Sequence, residues 1–218
     1  MSGEGGLGGA QRLWHGSPNL YNPGDVLFKM ASNAIRCHPL TPDRWADLER
    51  IFGPNGANSG CWCMWFRRPR KEWQAEHGQG NCDAFKGLAE AGAPLGVLAY
   101  VDGTPAGWCA VAPREDYQTL AKSRLFPPTG EARLWAISCL FVHRNFRRTG
   151  LSRPLIEGAL AYAKRQGART VEAYPVVAEG RADPARGFHG FAEVFRAAGF
   201  EEVDRPSATR MRMRVRFR

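Results

Sequence analysis

The stretch from Leu134 to Gln166, LWAISCLFVHRNFRRTGLSRPLIEGALAYAKRQ, constrains the fold more than any other part of the chain. Trp135, Ile137, Leu140, Phe141 and Val142 make a nearly continuous apolar run of strand length, the pattern of a strand covered on both faces. Arg147, Arg148, Thr149, Gly150, Leu151 and Ser152 then turn the chain. Leu151, Leu155, Ile156, Ala159, Leu160 and Ala163 recur at helical spacing until Gly167. The local order is therefore strand, basic loop, helix. Such a loop offers unpaired N–H groups and the positive end of a helix dipole, and anions bind there. Gly150 permits positive φ and close backbone approach, while Arg147, Arg148 and Arg153 add charge suited to a diphosphate. Pro154 is tolerated because its missing N–H falls among first-turn donors that have no helical partner.

The whole chain sets bounds on this reading. Its 218 residues suit one ordinary domain with an appended segment, and 44% hydrophobic content suffices for a core. The formal charge of +9 fits nucleic acid, an acidic partner or a binding site for a polyanionic cosubstrate, and composition does not choose among them. No nucleic-acid motif accompanies the charge. Six cysteines show no regular framework, and the start of the chain lacks an apolar leader core, so reduced thiols and a cytoplasmic location are expected. No apolar run reaches membrane-spanning length.

Residues 1–29, rich in Gly, Asn, Pro and Ser, are expected to be a flexible extension, with the domain proper over 30–218. Ala34 to Pro39 reads as a strand, and Thr41-Pro42 as a helix entry with the hydroxyl as cap. Trp45, Leu48 and Ile51 supply the apolar face of that helix. Cys61 to Phe66, followed by Arg67, Arg68, Arg70 and Lys71, is too apolar for idle surface. It reads as a packed helix, as the wall of a binding pocket, or, with His77 and Cys82, as metal ligands at a spacing foreign to common zinc modules. The prediction is no metal. Asp83 to Gly92 is expected to be helical, and Leu95–Val101 and Ala106–Ala112 form a hairpin about Asp102-Gly103. Asp116 to Phe126 is predicted helical, Thr170 to Val176 a strand, Ala178 to Gly187 a polar loop, and Phe191 to Ala198 a last helix. Met211, Met213, Val215 and Phe217 alternate with Arg210, Arg212, Arg214, Arg216 and Arg218. That period of two predicts a half-buried strand with a solvated arginine face.

The loop and its flanks resemble the GNAT superfamily of acyl-CoA-dependent N-acyltransferases, whose signature is Gln or Arg, two residues, Gly, one residue, then Gly or Ala. Here the signature reads Arg147, Arg148, Thr149, Gly150, Leu151, Ser152, with Ser152 as the one departure. Leu140 to Phe146 is similar to the family's strand end and short connection. The resemblance implies an α/β (α+β) GNAT fold: a central mixed, mostly antiparallel, splayed sheet of six to seven strands flanked by helices. It also implies acetyl-CoA as cosubstrate, with the pantetheine arm in a gap beside Cys139–Val142 and Tyr174–Val176. Binding would fall to Leu140, Phe141, Val142, Arg147, Arg148, Thr149, Gly150, Leu151, Ser152 and Arg153. An N–H at Leu140 or Phe141 would polarise the thioester carbonyl.

The activity implied is transfer of an acetyl group to an amine of unspecified identity by direct attack in a ternary complex. The alternative is a CoA-binding sensor or scaffold with little or no turnover. A homodimer is among the assemblies this reading allows. The family's usual acidic base has no counterpart on the signature strand, which leaves Glu131 at its start or a water held by Ser138 as catalytic candidates. His143 and His189 are weaker ones. The family's tyrosine acid is replaced by Phe195, four residues before Gly199-Phe200, and Tyr174 is the possible substitute.

Overall fold

The computed structural model describes residues 26–30, 33–177 and 188–218. These residues build one mixed sheet of eight strands: β1 Val26–Met30, β2 Asn33–Pro39, β3 Gly96–Val101, β4 Thr104–Pro113, β5 Leu134–Val142, β6 Thr170–Ala173, β7 Glu201–Ser207 and β8 Arg210–Arg216. Their order is β1-β2-β3-β4-β5-β6-β8-β7. Only β5 and β6 run parallel, as a strand-helix-strand crossover requires. The other neighbours are antiparallel, joined in part by tight turns such as Asp102-Gly103, where both residues take positive φ. The expected mixed, mostly antiparallel sheet is thus observed. It is wider than the six to seven strands expected, because β1 and the polar, largely exposed β7 were not foreseen. Four residues of the expected 1–29 extension, Val26 to Lys29, pair with β2. The remainder of that extension and the expected loop Ala178–Gly187 lie outside the described residues.

Helices cover both faces. The helices are α1 Trp45–Phe52, α2 Arg70–Ala75, α3 Gln79–Glu90, α4 Gln118–Ala121, α5 Ser152–Arg165 and α6 Ala192–Ala197. On one face α5 lays Leu155, Ile156, Ala159 and Ala163, all fully buried, against Ile35, Val97, Val111 and Ile137. Gly158 permits this approach: a Cβ there would sit 2.6 Å from the Cys37 Sγ. On the other face α1 and α3 pack Trp45, Leu48, Phe52 and Phe85 onto Leu98 and Trp108. Thr41 does not cap the first helix as expected. A short helical turn, Pro42–Arg44, intervenes, and the Thr41 hydroxyl accepts from Arg44 Nη1 at 2.8 Å.

Three further expectations are corrected. Residues 61–66 are packed but not helical, because Trp62 and Cys63 take positive φ (44° and 57°) and turn the chain so that Trp62, Cys63 and Met64 point inward. Cys63 Sγ accepts from Trp108 Nε1 at 3.1 Å, and no cluster of three or more potential metal ligands exists among the described residues. Asp116–Phe126 is helical only over α4. The arginine face of β8 is not solvated at its centre either. Arg212 and Arg214 are 5% and 8% exposed, and both reach the fully buried Glu172 of β6. Met211 and Met213 are buried on the opposite face, so β8 is covered on both sides there.

Candidate functional site

The centre of the site is where β5 and β6 part. Four residue pairs join them, from Leu134↔Thr170 to Ile137↔Ala173, and none follows. Beyond Ala173 the chain turns toward its other neighbours. Val176 bridges Phe191 and Arg210, its N–H donating to the Gly190 carbonyl at 3.1 Å. The β5 edge from Ser138 to Val142 therefore faces a gap.

The groups it presents follow from strand geometry. The His143 N–H donates to the Ala106 carbonyl at 2.9 Å, on the β4 side. With a period of two, Phe141 and Cys139 point their backbone groups the same way, and Leu140 and Val142 point theirs into the gap. The Val142 carbonyl accordingly accepts from Arg147 Nε at 3.1 Å, outside the sheet. The two expected oxyanion donors are thereby separated: Leu140 N–H faces the gap, whereas Phe141 is committed to β4. Where the register shifts against Ala110 and Val111, one extra residue enters β5, and that residue is Ser138. A bulge re-aims side chains and breaks pairing locally, the two things a strand must do beside a ligand gap.

At the end of β5 the chain makes a helical turn, Arg144–Phe146, and enters α5 through Arg148 and Gly150 at φ 64° and 84°. Thr149 steadies the turn by donating to the Phe146 carbonyl at 2.7 Å. The α5 N-terminus has no side-chain cap. Among the described residues no backbone carbonyl accepts from the N–H groups of residues 148–153. A concave run of free donors at a helix N-terminus is an anion cradle. The exposed Arg144, Arg147 and Arg148 surround it, while Arg153 is shared with Glu157 at 2.8 Å. The structure thus brings Leu140, Val142 and the loop Arg147–Arg153 together along one edge. A diphosphate on the cradle and an amide-containing arm along the β5 edge match the donors on offer, which is the test acyl-CoA must pass.

The predicted catalytic residues are not gathered in the same way. Glu131 lies three residues before Leu134, the opposite end of β5, which is itself roughly 26 Å from Val142 at strand rise. It accepts from Thr170 Oγ1 at 2.7 Å and pairs with Arg214 Nη1 at 2.8 Å and Arg216 Nε at 3.3 Å. Partial burial opposes its ionisation, but the hydrogen bond and the two guanidiniums outweigh it and hold the carboxyl below its usual range. A carboxylate so placed and so paired is a structural anchor, and Glu131 is withdrawn as a base. A cleft of about 720 Å3 opens beside it, lined by Arg114, Glu131, Arg133 and Trp135, at that same far end.

Ser138, by contrast, stands at the mouth of the gap, 4% exposed. Beside it lies the fully buried Tyr117 hydroxyl, its ionisation opposed by burial and eased by Arg67 and Ser138. The Arg67 guanidinium sits 4.8 Å above the Tyr117 ring. Neither Tyr117 nor Arg67 carries a sequence signal that marks it for this position. His189 flanks the gap through Gly190; burial and the Arg210 charge push its imidazole down to about 3, so the ring is neutral in the working range. Phe195 is fully buried, its ring against Gly190 and Phe200, and Tyr174 donates to Glu172 Oε2 at 2.7 Å while accepting from Arg114 Nε at 3.0 Å. With burial pushing its pKa far up as well, Tyr174 is locked into the sheet and not free as an acid.

The family model described as Acetyltransferase (GNAT) family matches residues 62–191, more than half of the chain. Among solved structures the chain is similar to an uncharacterised protein from Bacillus halodurans (16% identity, 89% of this chain and 90% of that one covered, TM-score 0.53). It is also similar to the GNAT domain of S. lividans PAT (17% identity, 89% and 96% covered, TM-score 0.50). A third is the PaiA N-acetyltransferase from Thermoplasma acidophilum in complex with coenzyme A (11% identity, 84% and 99% covered, TM-score 0.49). No curated protein matches the sequence significantly. The parted strands, the bulge at Ser138 and the cradle at Gly150 fall inside the matched residues, and the chain belongs to the GNAT family of acetyltransferases.

Proposed function

We propose that this chain transfers an acetyl group from acetyl-CoA to an amine by direct attack in a ternary complex. The observation that supports this most strongly is the continuity between the open β5 edge at Leu140 and Val142 and the free donors of residues 148–153. The cradle and its arginines bind the diphosphate. The Val142 and Leu140 edge pairs with the amides of the arm, so the thioester lies near the bulge. There the Leu140 N–H donates to the thioester carbonyl oxygen and stabilises the charge that develops as the amine nitrogen attacks the carbonyl carbon.

The amine must arrive neutral. For an alkylamine of pKa about 10.4, losing the proton at pH 7 costs roughly 4.6 kcal/mol. We assign that proton to a solvent-linked relay beginning at Ser138 and Tyr117, since Glu131 is far away and His189 is too weak a base. When the tetrahedral intermediate collapses, the carbon–sulfur bond breaks and the thiolate leaves. At a thiol pKa of about 8.5 it departs without needing an acid at once, which is compatible with phenylalanine at 195.

A second reading, CoA binding without turnover, is favoured by that buried Phe195 and by the pairing of Glu131 away from the gap. Incubation with acetyl-CoA and an amine panel, following free CoA release above the amine-free rate, separates the two. Amine-dependent release supports transfer; a protein that binds acetyl-CoA yet releases nothing with any amine is a sensor or scaffold.

A further inference from the structure

The acyl-CoA site leaves unused two cysteines that the 61–66 turn and β5 bring together. Cys139 and Phe141 point to the sheet face opposite α5, where their β4 partners Ala110 and Trp108 also lie. The positive φ of Trp62 and Cys63 folds the turn onto this face. Phe52 holds it there, its ring 5.6 Å from Trp62, 6.5 Å from Trp108 and 5.4 Å from Phe141. Cys63 Sγ accepts from Trp108 Nε1 at 3.1 Å and shares a hydrogen bond with Cys139 Sγ. Two thiols from distant parts of the chain are thus in contact, one residue before Leu140.

The pair is chemically unequal. The Cys139 hydrogen bond, the Trp108 N–H and the Arg67 charge together outweigh burial and hold Cys63 below the ordinary thiol range. Cys139 is pushed well above that range by the same hydrogen bond and by burial. The other four cysteines are also pushed upward, chiefly by burial, Cys61 to about 11 and Cys37 to about 12. Of the six thiols, Cys63 alone has surroundings that favour the thiolate. It is 7% exposed, and Cys139 beside it is half-buried on the strand that edges the gap. No group of three potential metal ligands exists among the described residues, so oxidation rather than metal binding is the chemistry open to the pair. A thiolate in contact with a second, more accessible thiol is the arrangement that peroxide oxidises selectively, the second thiol resolving the first.

We infer that Cys63 and Cys139 form a redox modification site, which hydrogen peroxide converts to a disulfide that slows acyl transfer while acyl-CoA remains bound. The Cys63 thiolate attacks a peroxide oxygen. An S–O bond forms, the O–O bond breaks, and the departing hydroxide becomes water with the proton Cys63 gave up. Cys139 Sγ then attacks the sulfur of the Cys63 sulfenic acid. The S–S bond forms, the S–O bond breaks, and hydroxide leaves with the Cys139 proton as a second water. Each sulfur loses one electron and each peroxide oxygen gains one.

The effect on rate rests on the acetyl-transfer reading. A covalent S–S bond is shorter than a hydrogen bond between sulfurs, so closure draws Cys139 and the 61–66 turn together. Leu140, whose N–H faces the thioester position, moves with Cys139, and a shift of about 1 Å in such a group costs up to about a hundredfold in rate. Residues 148–153 are joined to neither cysteine, and the diphosphate cradle stays as it is.

The test treats the reduced full chain with hydrogen peroxide, blocks remaining thiols with N-ethylmaleimide and maps the peptides by non-reducing mass spectrometry. A Cys63–Cys139 link should form, and dithiothreitol should reverse it. Cys139→Ser should stop at a Cys63 sulfenic acid trapped by dimedone, and Cys61→Ser should form the link as wild type does. Links through Cys61, equal oxidation of all six thiols, or no Cys63–Cys139 link at peroxide sufficient to oxidise free glutathione overturns the site. The linked protein should lose roughly tenfold or more in kcat, with the Kd of acetyl-CoA by calorimetry within about threefold of the reduced value. Cys63→Ser should keep its turnover, whatever its basal value, through the same treatment. Equal kcat before and after linkage overturns the rate effect. A reduced protein that acetylates no amine sinks the transfer reading and the rate effect with it, and the disulfide is then judged on the mass spectra alone.

Discussion

Replacing His189 by Gln should flatten the stability of the protein in mild acid. Burial, then the nearby Arg210 charge, depress the His189 imidazole to about 3 from an ordinary value of 6.5. Above the ordinary value both folded and unfolded chains carry a neutral ring, and His189 imposes no penalty. Below it the unfolded chain takes up a proton that the fold refuses, so stability falls with pH until the folded value is reached. Between about pH 8 and about pH 5, the two values correspond to a loss of about 2 kcal/mol, an upper figure because the ring is partly exposed. Urea unfolding of wild type and His189→Gln at several pH values in that window reads the difference directly. Glu131, held low, loses its contribution only below the ordinary carboxylate range and cancels between the two proteins. Wild type should lose up to about 2 kcal/mol relative to the variant on going to about pH 5. Parallel pH curves for the two proteins would refute the claim that a neutral, desolvated imidazole flanks the gap.

Other consequences concern the residues that sequence reasoning singled out. Glu131→Gln should leave kcat and both KM values within about twofold, since the side chain is far from the gap, while lowering stability by about 1 kcal/mol through its ion pair with Arg214; a hundredfold fall in kcat would return Glu131 to the chemistry. Phe195→Tyr should change turnover by less than about tenfold and cost about 1–3 kcal/mol of stability, because a hydroxyl is added to a fully buried ring; a large rate gain would show that thiolate departure limits the reaction. A chain beginning at Met30 removes most of β1 and strips β2 of its outer partner, so its melting temperature should fall below that of a chain beginning at Asp25; equal melting would make β1 dispensable.

The signature strand, loop and helix were legible because each has a local cause: apolar continuity, a glycine at a position needing positive φ, and a 3.6-residue period. The hairpin at Asp102-Gly103 was legible for the same kind of reason. What escaped depends on partners distant in the chain. Glu201–Ser207 has no apolar period and becomes a strand only because β8 offers it an edge. Arg212 and Arg214 look like a solvated face until Glu172, some forty residues earlier, is seen to neutralise them. The cluster at Cys61–Phe66 announces burial but not shape, since two non-glycine residues at positive φ leave no compositional trace. Glu131 attracted attention as the acid at the start of the signature strand, and only the structure shows it committed to Arg214 and Arg216 of β8. The bulge that singles out Ser138 is likewise a property of the pairing with β4 and not of the residues that form it.

The central claim is that residues 148–153 and the free β5 edge form one acyl-CoA site, and titration calorimetry of acetyl-CoA into wild type and Gly150→Val tests it most directly. Gly150 sits at φ 84°, where a β-branched residue is strained, and a valine side chain also obstructs approach to the N–H cradle. Wild type should bind, and acetyl-CoA at a hundred times its Kd should add about 2.7 kcal/mol to the unfolding free energy. Gly150→Val, folded by circular dichroism, should show no measurable binding heat and no such stabilisation. Undiminished binding by folded Gly150→Val, or no binding by wild type, would contradict the account.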